Sequence, residues 1–395
     1  MKYSDKAKMV KESTTLAISA KAKAMKDAGE NVISFTVGEP DFDTPMHIVE
    51  AAKKALDAGF TKYTDSSGII KLREAICGKL LRENNLTYKP NQIVVSNGAK
   101  HAISNVCMAI LNDGDEVIIP APYWLTYPEI VSVCGGVPVV IQTGKDTDYK
   151  ISASQIEAAV TPKTKAVFIN SPNNPSGSVY TENELRSIAE VICKHDLICI
   201  SDEIYEHLIY VPGLKHVSIA SFNEDIFSRT IVINGLSKSY AMTGWRMGYT
   251  ASNTELAKLM GNIQSHQTSN INTITQQASI AAIDGTQQPL HDMRAQFAKR
   301  RDYITERLKG MGLDLAAPAG AFYAFVDISA LCGKGGDAVI NNAADFAAEL
   351  ITKKGVVIIP CADFGCPMHI RLSYATSMEL ITEGMDRLEE FLKMI

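Results

Sequence analysis

A short polar segment, residues 235–246, carries the residue types best suited to chemistry in this chain. It holds Lys238 and Arg246, eight positions apart, in a turn too rich in glycine and polar side chains for a protein core. Upstream, Asp202 and Tyr205 follow an apolar run. A lysine amine can form a Schiff base with an aldehyde, a buried carboxylate can hold a proton on a pyridine ring, and an arginine can bind a phosphate through two parallel hydrogen bonds. This set of groups predicts pyridoxal phosphate as the cofactor.

The composition limits the class of protein to which these residues can belong. A chain of 395 residues exceeds the ~250–300 residues at which a single core usually stops growing, so we expect two domains. The formal net charge of -5 argues against a nucleic-acid partner, because neutralising phosphates requires clustered lysine and arginine. No apolar run approaches the ~20 residues that span a bilayer, so we expect no membrane association and a cytoplasmic location.

The eight cysteines are scattered along the chain, without a CxxC pair or a histidine at zinc-binding spacing. Several lie inside apolar segments, which favours reduced cysteines packed as small core residues in a reducing compartment. Cys361 and Cys366 form the only close pair, and we predict no disulfide there. The sequence therefore predicts no metal site.

Short apolar runs alternate with helix-length amphipathic segments up to about residue 290. We predict strands at 92–96, 116–120, 137–142, 166–170, 197–201 and 230–234, and a helix at 181–194. This alternation predicts an α/β fold whose mostly parallel sheet is covered by helices on both faces.

The pattern changes near residue 290 to long helices with separate strands near 321–327 and 368–373, which indicates a smaller α+β unit. The first 44 residues are expected to pack with that unit. The predicted division is therefore a large domain, 45–289, and a small domain made of 1–44 and 290–395. Within the latter, the glycine-rich segment 333–336 matches no complete phosphate-binding loop and predicts a surface loop.

Candidate residues follow the predicted strands at their carboxyl ends, where ligands bind in open parallel sheets. Asn174, Asp202 and Lys238 each come shortly after one of three strands. Two of them also have a structural interpretation, since the prolines around Asn174 predict a turn regardless of function, and capping of the following helix is an alternative role for Asp202. The spacing of Asp202 and Lys238 by one strand-helix-strand unit nevertheless favours neighbouring positions.

Other candidates have two open interpretations. Gly98 and Ala99 lie in a strand-to-helix turn where free backbone N–H groups can receive a phosphate, and Lys100 in the first helical turn is unfavourable unless an anion lies nearby. A solvated surface lysine is an equal alternative. Trp124 is either a core aromatic residue or a surface for stacking a flat cofactor. Arg371 alternates with apolar neighbours, and a cation so placed usually meets a carboxylate of the protein or of a substrate.

Five motifs, in order along essentially the whole chain, resemble the signature of class I aminotransferases, which are fold type I enzymes of the pyridoxal phosphate group. These motifs are Gly38-Glu39-Pro40-Asp41, Asn174-Pro175-Ser176-Gly177, Asp202-Glu203-Ile204-Tyr205, Ser237-Lys238 with Gly244-Trp245-Arg246, and Ile370-Arg371-Leu372-Ser373. The order of the motifs is far more specific than any one of them.

The resemblance implies a role for each matching residue. Lys238 forms the covalent bond to the cofactor and Asp202 pairs with the pyridine nitrogen. Tyr205, the third catalytic residue, hydrogen-bonds the ring hydroxyl oxygen together with Asn174. The implied cofactor contacts further include Gly98, Ala99, Trp124, Asn174, Ser237 and Arg246. The implied substrate contacts are Gly38, Trp124, Asn174 and Arg371, of which Gly38 and Arg371 bind the α-carboxylate. Tyr63 matches a tyrosine that reaches the phosphate of the neighbouring subunit, which implies a homodimer with shared active sites.

Within that family the chain is similar to bacterial aspartate aminotransferases in which a lysine early in the phosphate-loop helix binds the side-chain carboxylate of the substrate. Lys100 matches that lysine. Lys11 matches a basic residue near the amino terminus that aids the transamination of prephenate in some relatives. The expected reaction moves the amino group of L-aspartate to 2-oxoglutarate. Alternatives are a prephenate, aromatic or alanine aminotransferase, a β-lyase on the same cofactor, and a non-catalytic binding protein. One departure is Gly235, where the family often has a serine that contacts the phosphate.

Overall fold

The computed structural model describes residues 2–334 and 339–395. Gly335 and Gly336 of the predicted surface loop lie outside these residues. The strands are β1 (Ile33–Ser34), β2 (Ile93–Ser96), β3 (Glu116–Ala121), β4 (Val137–Gln142), β5 (Thr164–Asn170), β6 (Ile198–Asp202), β7 (Thr230–Gly235), β8 (Gly248–Ala251), β9 (Tyr323–Asp327), β10 (Val356–Val357), β11 (Ile359–Pro360) and β12 (His369–Ser373).

The helices are α1 (Asp5–Met9), α2 (Thr14–Asp27), α3 (Met46–Asp57), α4 (Ile70–Asn84), α5 (Ala99–Ile110), α6 (Thr126–Val133), α7 (Ala153–Ala159), α8 (Glu182–Lys194), α9 (Glu224–Arg229), α10 (Thr254–Gln267), α11 (Thr273–Asp284), α12 (Gln288–Gly310), α13 (Ala343–Lys354) and α14 (Met378–Leu392). None of the helices in the described part of the chain has the length and apolar character needed to cross a membrane.

A seven-stranded sheet forms the centre of the molecule, in the order β2-β8-β7-β6-β5-β3-β4. All neighbouring strands are parallel except β8, which runs antiparallel to both β2 and β7. The predicted mostly parallel sheet is confirmed. β8 was not predicted, because its residues Gly-Tyr-Thr-Ala lack the run of β-branched aliphatic side chains that marks the equally short β2.

Successive side chains of a strand point to opposite sides of the sheet, and apolar clusters cover both of its faces. Val117 and Ile119 of β3 pack in one apolar cluster, together with residues of α5 and α10. Ile118, between them, packs in a second cluster with residues of α7 and α8. The strands therefore read as continuous apolar runs, as the parallel arrangement requires.

The helix predicted at 181–194 shows how local sequence sets these elements. Thr181 precedes α8 as its N-cap, and its Oγ1 accepts a hydrogen bond from the Glu184 backbone N–H at 3.4 Å. The Glu184 carboxylate in turn accepts one from the Thr181 N–H at 2.7 Å, which completes a capping box. The apolar face of the helix, including Leu185 and Ile192, is buried against the sheet.

A second group of strands carries the Arg371 segment. β12 lies between β11 and β9, antiparallel to both, and β1 pairs in parallel with β10. Ile33 and Phe35 of the amino-terminal part share an apolar cluster with residues of α12, α13 and α14. By contrast, α1 contacts α6, next to the large sheet. The domain division at 44/45 and 289/290 stays a prediction, and α12 runs across the second of these boundaries.

Candidate active site

A cavity of about 530 Å³ opens beyond the carboxyl ends of β5, β6 and β7. Eleven of the residues singled out in the sequence line it, namely Gly38, Ala99, Lys100, Trp124, Asn174, Asp202, Tyr205, Ser237, Lys238, Arg246 and Arg371. Their positions follow from the fold, because parallel neighbouring strands end at one edge of the sheet and the loops after them meet there.

Lys238 lies three residues after β7, within this cavity. Its Nζ donates a hydrogen bond to the Gly38 carbonyl and lies 5.9 Å from the centre of the Tyr205 ring. Burial lowers the pKa of the Lys238 amine to about 8, with the positive charges of Arg371 and Arg246 adding to this effect and the carboxylates of Glu39 and Asp202 opposing it. At neutral pH a larger fraction of the Lys238 amine is therefore in the reactive, neutral form than in an ordinary lysine, whose pKa is ~10.4.

This lowered pKa gives a testable pH dependence. In the cofactor-free protein, we expect the rate at which Lys238 is acetylated by trace acetic anhydride to rise with pH and to reach half its maximum near pH 8, because only the neutral amine reacts. Mass spectrometry of peptides reads all lysines in one experiment, so exposed lysines serve as internal controls. A midpoint for Lys238 that coincides with those of the exposed lysines would contradict the lowered pKa of its amine.

Asp202 is the last residue of β6 and its side chain is buried. Its Oδ2 accepts a hydrogen bond from the Tyr127 hydroxyl at 2.7 Å, and its Oδ1 accepts one from the Ile204 backbone N–H at 3.2 Å. Burial raises the pKa of Asp202 to about 6, while these two donors limit the rise. Asp202 forms no ion pair with any described residue, so a cationic ligand atom is the partner that its charge requires.

A second buried carboxylate, Glu206, anchors the turn that follows Asp202. It accepts hydrogen bonds from Lys79, from Asn84 Nδ2 at 2.7 Å and from Asn234 Nδ2 at 2.7 Å. Although burial opposes it, the charge of Lys79 holds the pKa of Glu206 well below its usual range. Because Asn234 belongs to β7, this network ties the Tyr205 turn to the strand that leads to Lys238.

The turn before α5 and the turn around Arg246 meet to form a site for an anion. Gly98, the N-cap of α5, has φ +84°, and a Cβ built there would lie 2.7 Å from the Arg246 guanidinium. Arg246 itself has φ +55° and donates to the Thr243 carbonyl at 2.9 Å. A non-glycine residue held at positive φ is uncommon and is typical of functional sites. The free N–H groups of the helix and the guanidinium together suit a phosphate.

Arg371, in β12 of the smaller sheet β11-β12-β9, provides a second anion site. Its side chain is buried, and it donates to Asn174 Oδ1 at 3.0 Å and to the Thr36 carbonyl at 3.2 Å. The guanidinium lies 4.4 Å from the centre of the Tyr323 ring, and its Nε has no hydrogen-bond partner among the described residues. In the described part of the chain this cation meets neutral oxygens and aromatic rings but no carboxylate, so its charge is left for a ligand.

The cavity as a whole carries an excess of positive charge. Lys100, Lys238, Arg246 and Arg371 line it, and no carboxylate of the described residues lies within ion-pair distance of any of the four. Lys100 lies over the Trp124 ring at 5.0 Å, and burial, with the nearby charge of Arg246, lowers its pKa. Arg371 is buried and Lys238 partly buried, while Lys100 and Arg246 are more exposed. Four cations around one cavity attract ligands that bring several negative charges.

Three of the singled-out residues do not line the cavity. Gly98 lies behind the Arg246 guanidinium, as described above. Tyr63 is 90% exposed on the surface. Lys11 is also exposed, and its backbone N–H donates to the Glu129 carboxylate at 3.2 Å. Ser13 and Thr15, from the same amino-terminal segment as Lys11, do line the cavity.

Sequence reasoning missed several residues of the site. Tyr127 contacts Asp202, the Tyr323 hydroxyl lies 3.0 Å from that of Tyr205, and the Glu39 carboxylate accepts a 2.5 Å hydrogen bond from Thr243. Tyr127 could have been found from its spacing, because it lies three residues after Trp124 at the start of a helix. Nothing in the local sequence points to Tyr323, which is one of many aromatic residues in apolar strands.

Comparisons with known proteins bear on this geometry. The family model for aminotransferase class I and II matches residues 30–388. This chain belongs to the class I and II aminotransferase family. The aminotransferase is 47% identical to an aspartate aminotransferase of Bacillus sp. (strain YM-2), over 98% of both chains. It is 44% identical to an aspartate/prephenate aminotransferase of Cereibacter sphaeroides, also over 98% of both.

Solved structures agree with these relatives. An aspartate aminotransferase from Rhizobium meliloti superposes on this aminotransferase with a TM-score of 0.96 and 39% sequence identity, covering 100% of this chain and 99% of the other. The Thermus thermophilus aspartate aminotransferase solved with maleate gives a TM-score of 0.94 and 38% identity, covering 99% and 100%. The resemblance noted in the sequence, the fold type and the enzyme class are therefore confirmed.

Proposed function

We propose that this aminotransferase moves the amino group of L-aspartate to 2-oxoglutarate, with pyridoxal 5'-phosphate as its cofactor. The observation that carries the proposal is the unpaired charge in one cavity. Among the residues that the structure describes, four cations have no carboxylate partner and the buried Asp202 has no cationic one. A cofactor with a phosphate and a protonated pyridine nitrogen, together with a substrate that has two carboxylates, supplies these missing charges.

The residues present fit this cofactor. Gly98, Ala99, Ser237 and Arg246 would hold the phosphate, while Asp202 would hold the proton on the pyridine nitrogen. Lys238 Nζ would form the covalent bond to the aldehyde carbon. Tyr205 and Asn174 would donate to the ring hydroxyl oxygen, and Trp124 would cover one face of the ring. When bound, the protonated ring draws electrons from the substrate α-carbon and so makes its proton acidic.

The chain's own groups then manage the substrate and its proton. Arg371 binds and orients the α-carboxylate, with the Gly38 backbone beside it. The Lys238 amine, with its lowered pKa, can take the proton from the substrate α-carbon and later return it, as a general base and acid must near neutral pH.

Aspartate is preferred in this proposal because the cavity offers two separate cations to carboxylates. Arg371 would bind the α-carboxylate and Lys100 the side-chain carboxylate, since a charge-assisted hydrogen bond to either cation is stronger than one between neutral groups. Relatives named aspartate aminotransferase support this, and so does the Thermus thermophilus structure solved with maleate, a dicarboxylate.

Substitution of Lys100 by alanine tests the substrate. We expect kcat/KM for aspartate to fall ~10- to 100-fold, because a charge-assisted hydrogen bond is worth about 1.5–3 kcal/mol. The loss for alanine or other monocarboxylic donors should stay within about twofold. Lys71→Ala is a matched control, since Lys71 is exposed and also occupies the second position of its helix. Equal losses for aspartate and alanine would remove Lys100 from this role.

The same assay panel separates the alternative reactions. Unsubstituted protein is supplied with aspartate, alanine or an aromatic donor, and with 2-oxoglutarate or prephenate as acceptor, and both keto and amino products are measured. A β-lyase is tested with an amino acid that carries a thioether on its β-carbon and without a keto acceptor. Release of pyruvate, ammonia and the thiol would indicate that reaction. Because some relatives are named aspartate/prephenate aminotransferase, prephenate stays a candidate second acceptor for this chain. Lys11, which the sequence associated with prephenate, lies outside the cavity in this structure.

We further propose a homodimer in which each subunit completes the other's site. The almost fully exposed Tyr63 supports this, because a large aromatic side chain is better accommodated at an interface than in water. Its hydroxyl would donate to the cofactor phosphate in the partner. A cytoplasmic location remains a prediction, in keeping with eight cysteines that are all free.

A further inference from the structure

Tyr127 is a buried side chain to which the proposed reaction gives no role. It is the second residue of α6, its side chain is 2% exposed, and its hydroxyl donates a 2.7 Å hydrogen bond to Asp202 Oδ2. We propose that Tyr127 is a positioning residue, which holds Asp202 ionised and oriented so that its carboxylate keeps a proton on the pyridine nitrogen of the cofactor. This inference rests on the function proposed above.

The hydrogen bonds of Asp202 support this role. Each of its two oxygens has one donor from the protein, Tyr127 at Oδ2 and the Ile204 N–H at Oδ1. A carboxylate offers about four acceptor positions, so capacity remains for a donor in the cavity. Two fixed donors prevent the carboxylate from rotating, and hydrogen bonds to the ionised form make that form more favourable.

The hydroxyl of Tyr127 is suited to act as a permanent donor. Burial raises its pKa well above the ordinary value, and the adjacent charge of Asp202 raises it further. The phenol therefore keeps its proton throughout the working pH range. A hydrogen bond from a neutral hydroxyl to a carboxylate is shorter and stronger than one between neutral groups.

The ring of Tyr127 is held rigidly by two aromatic neighbours. It stacks on Phe168 of β5 with a centroid distance of 4.4 Å and an interplanar angle of 17°. Its contact with Trp124 is edge-to-face, at 5.6 Å and 90°. Trp124 lines the cavity, so one ring supports both the carboxylate and the wall on which the cofactor is proposed to stack. Such packing fixes the hydroxyl before any ligand binds.

The experiment compares Tyr127→Phe with Tyr180→Phe in full-length, cofactor-free protein. Tyr180 is a matched control, because it is also buried and its hydroxyl accepts a 3.0 Å hydrogen bond from the Ile151 N–H, away from the residues that line the cavity. The probe is pyridoxamine 5'-phosphate labelled with nitrogen-15 in its ring, which needs no covalent bond to bind. Calorimetry gives its dissociation constant, and its nitrogen-15 chemical shift reports whether the ring nitrogen is protonated.

We expect Tyr127→Phe to bind the probe ~10-fold more weakly, with its nitrogen-15 shift moved toward that of unprotonated pyridine. In steady state, its kcat should fall while its KM for aspartate changes little, because the carboxylate sites are untouched. Tyr180→Phe should lower only the melting temperature.

Two results would overturn the inference. One is a Tyr127→Phe protein with probe affinity within twofold of the unsubstituted protein and an unchanged shift. The other is equal losses in both variants, which would mean a general effect on stability. Failure of the unsubstituted protein to bind the probe is distinguishable from these, and it would overturn the proposed function together with this inference.

Discussion

Substitution of Lys238 by alanine is expected to lower kcat for transamination at least ~10⁴-fold while the protein stays folded. The reason is that a single amine supplies both the covalent bond to the cofactor and the proton transfer, and acid–base catalysis alone contributes about 10²- to 10⁴-fold. Folding should survive, because removing a buried amine whose pKa is already lowered relieves a desolvation cost. Steady-state assays with aspartate measure kcat, and thermal unfolding shows whether the protein stays folded.

Lys238→Arg is the matched control for charge. It keeps a cation beside the Gly38 carbonyl but provides no nucleophilic amine at neutral pH, so it should be as inactive as the alanine variant. Both variants should still bind pyridoxamine phosphate, since Arg246 and Asp202 are unchanged. An arginine variant that retains more than about a tenth of the activity would show that charge, and not the amine, is what the reaction needs.

The second large effect is expected at Asp202. We predict that Asp202→Asn lowers kcat about 10³-fold with little change in the KM for aspartate, because an amide of the same shape cannot hold a proton on the pyridine nitrogen. Steady-state kinetics at saturating cofactor measure this change. The substitution preserves size, and the amide oxygen can still accept from the Ile204 N–H. The amide NH2 replaces the oxygen that accepts from Tyr127, so that contact can persist only with the Tyr127 hydroxyl as acceptor.

Glu203→Gln provides a control for loss of a neighbouring buried charge. Glu203 is 1% exposed, but its carboxylate contacts Ser201, Ser218 and His216 and it does not line the cavity. We expect Glu203→Gln to lower the melting temperature clearly while changing kcat only slightly. If Asp202→Asn and Glu203→Gln lowered kcat to the same extent, the special role of Asp202 would be excluded.

The convergence of Asn174, Asp202 and Lys238 could be predicted because it follows from topology. Asp202 ends β6, while Asn174 and Lys238 follow β5 and β7. These strands are parallel neighbours, and the ends of such strands meet at one edge. Long apolar runs made the strands visible, and β4 was predicted with the same limits that the structure shows, Val137–Gln142.

Other features depend on contacts between distant segments that a single sequence does not reveal. Tyr127 and Asp202 are separated by 75 positions, and Arg371 and Thr36 by 335. The antiparallel strand β8 is short and follows the Arg246 turn, so its pairing with β2 and β7 comes from tertiary packing. The glycine at 248 is required there, because a Cβ would lie 2.3 Å from the Ala99 backbone nitrogen.

The most direct test of the account is to identify the atom that binds the cofactor. Protein loaded with pyridoxal phosphate is treated with borohydride, which reduces the carbon–nitrogen double bond to a stable single bond, and the modified peptide is mapped by mass spectrometry. We predict one adduct per chain, on Lys238, and none when aspartate has first converted the cofactor to its amine form. An adduct on a different lysine, or no adduct at all, would contradict the account.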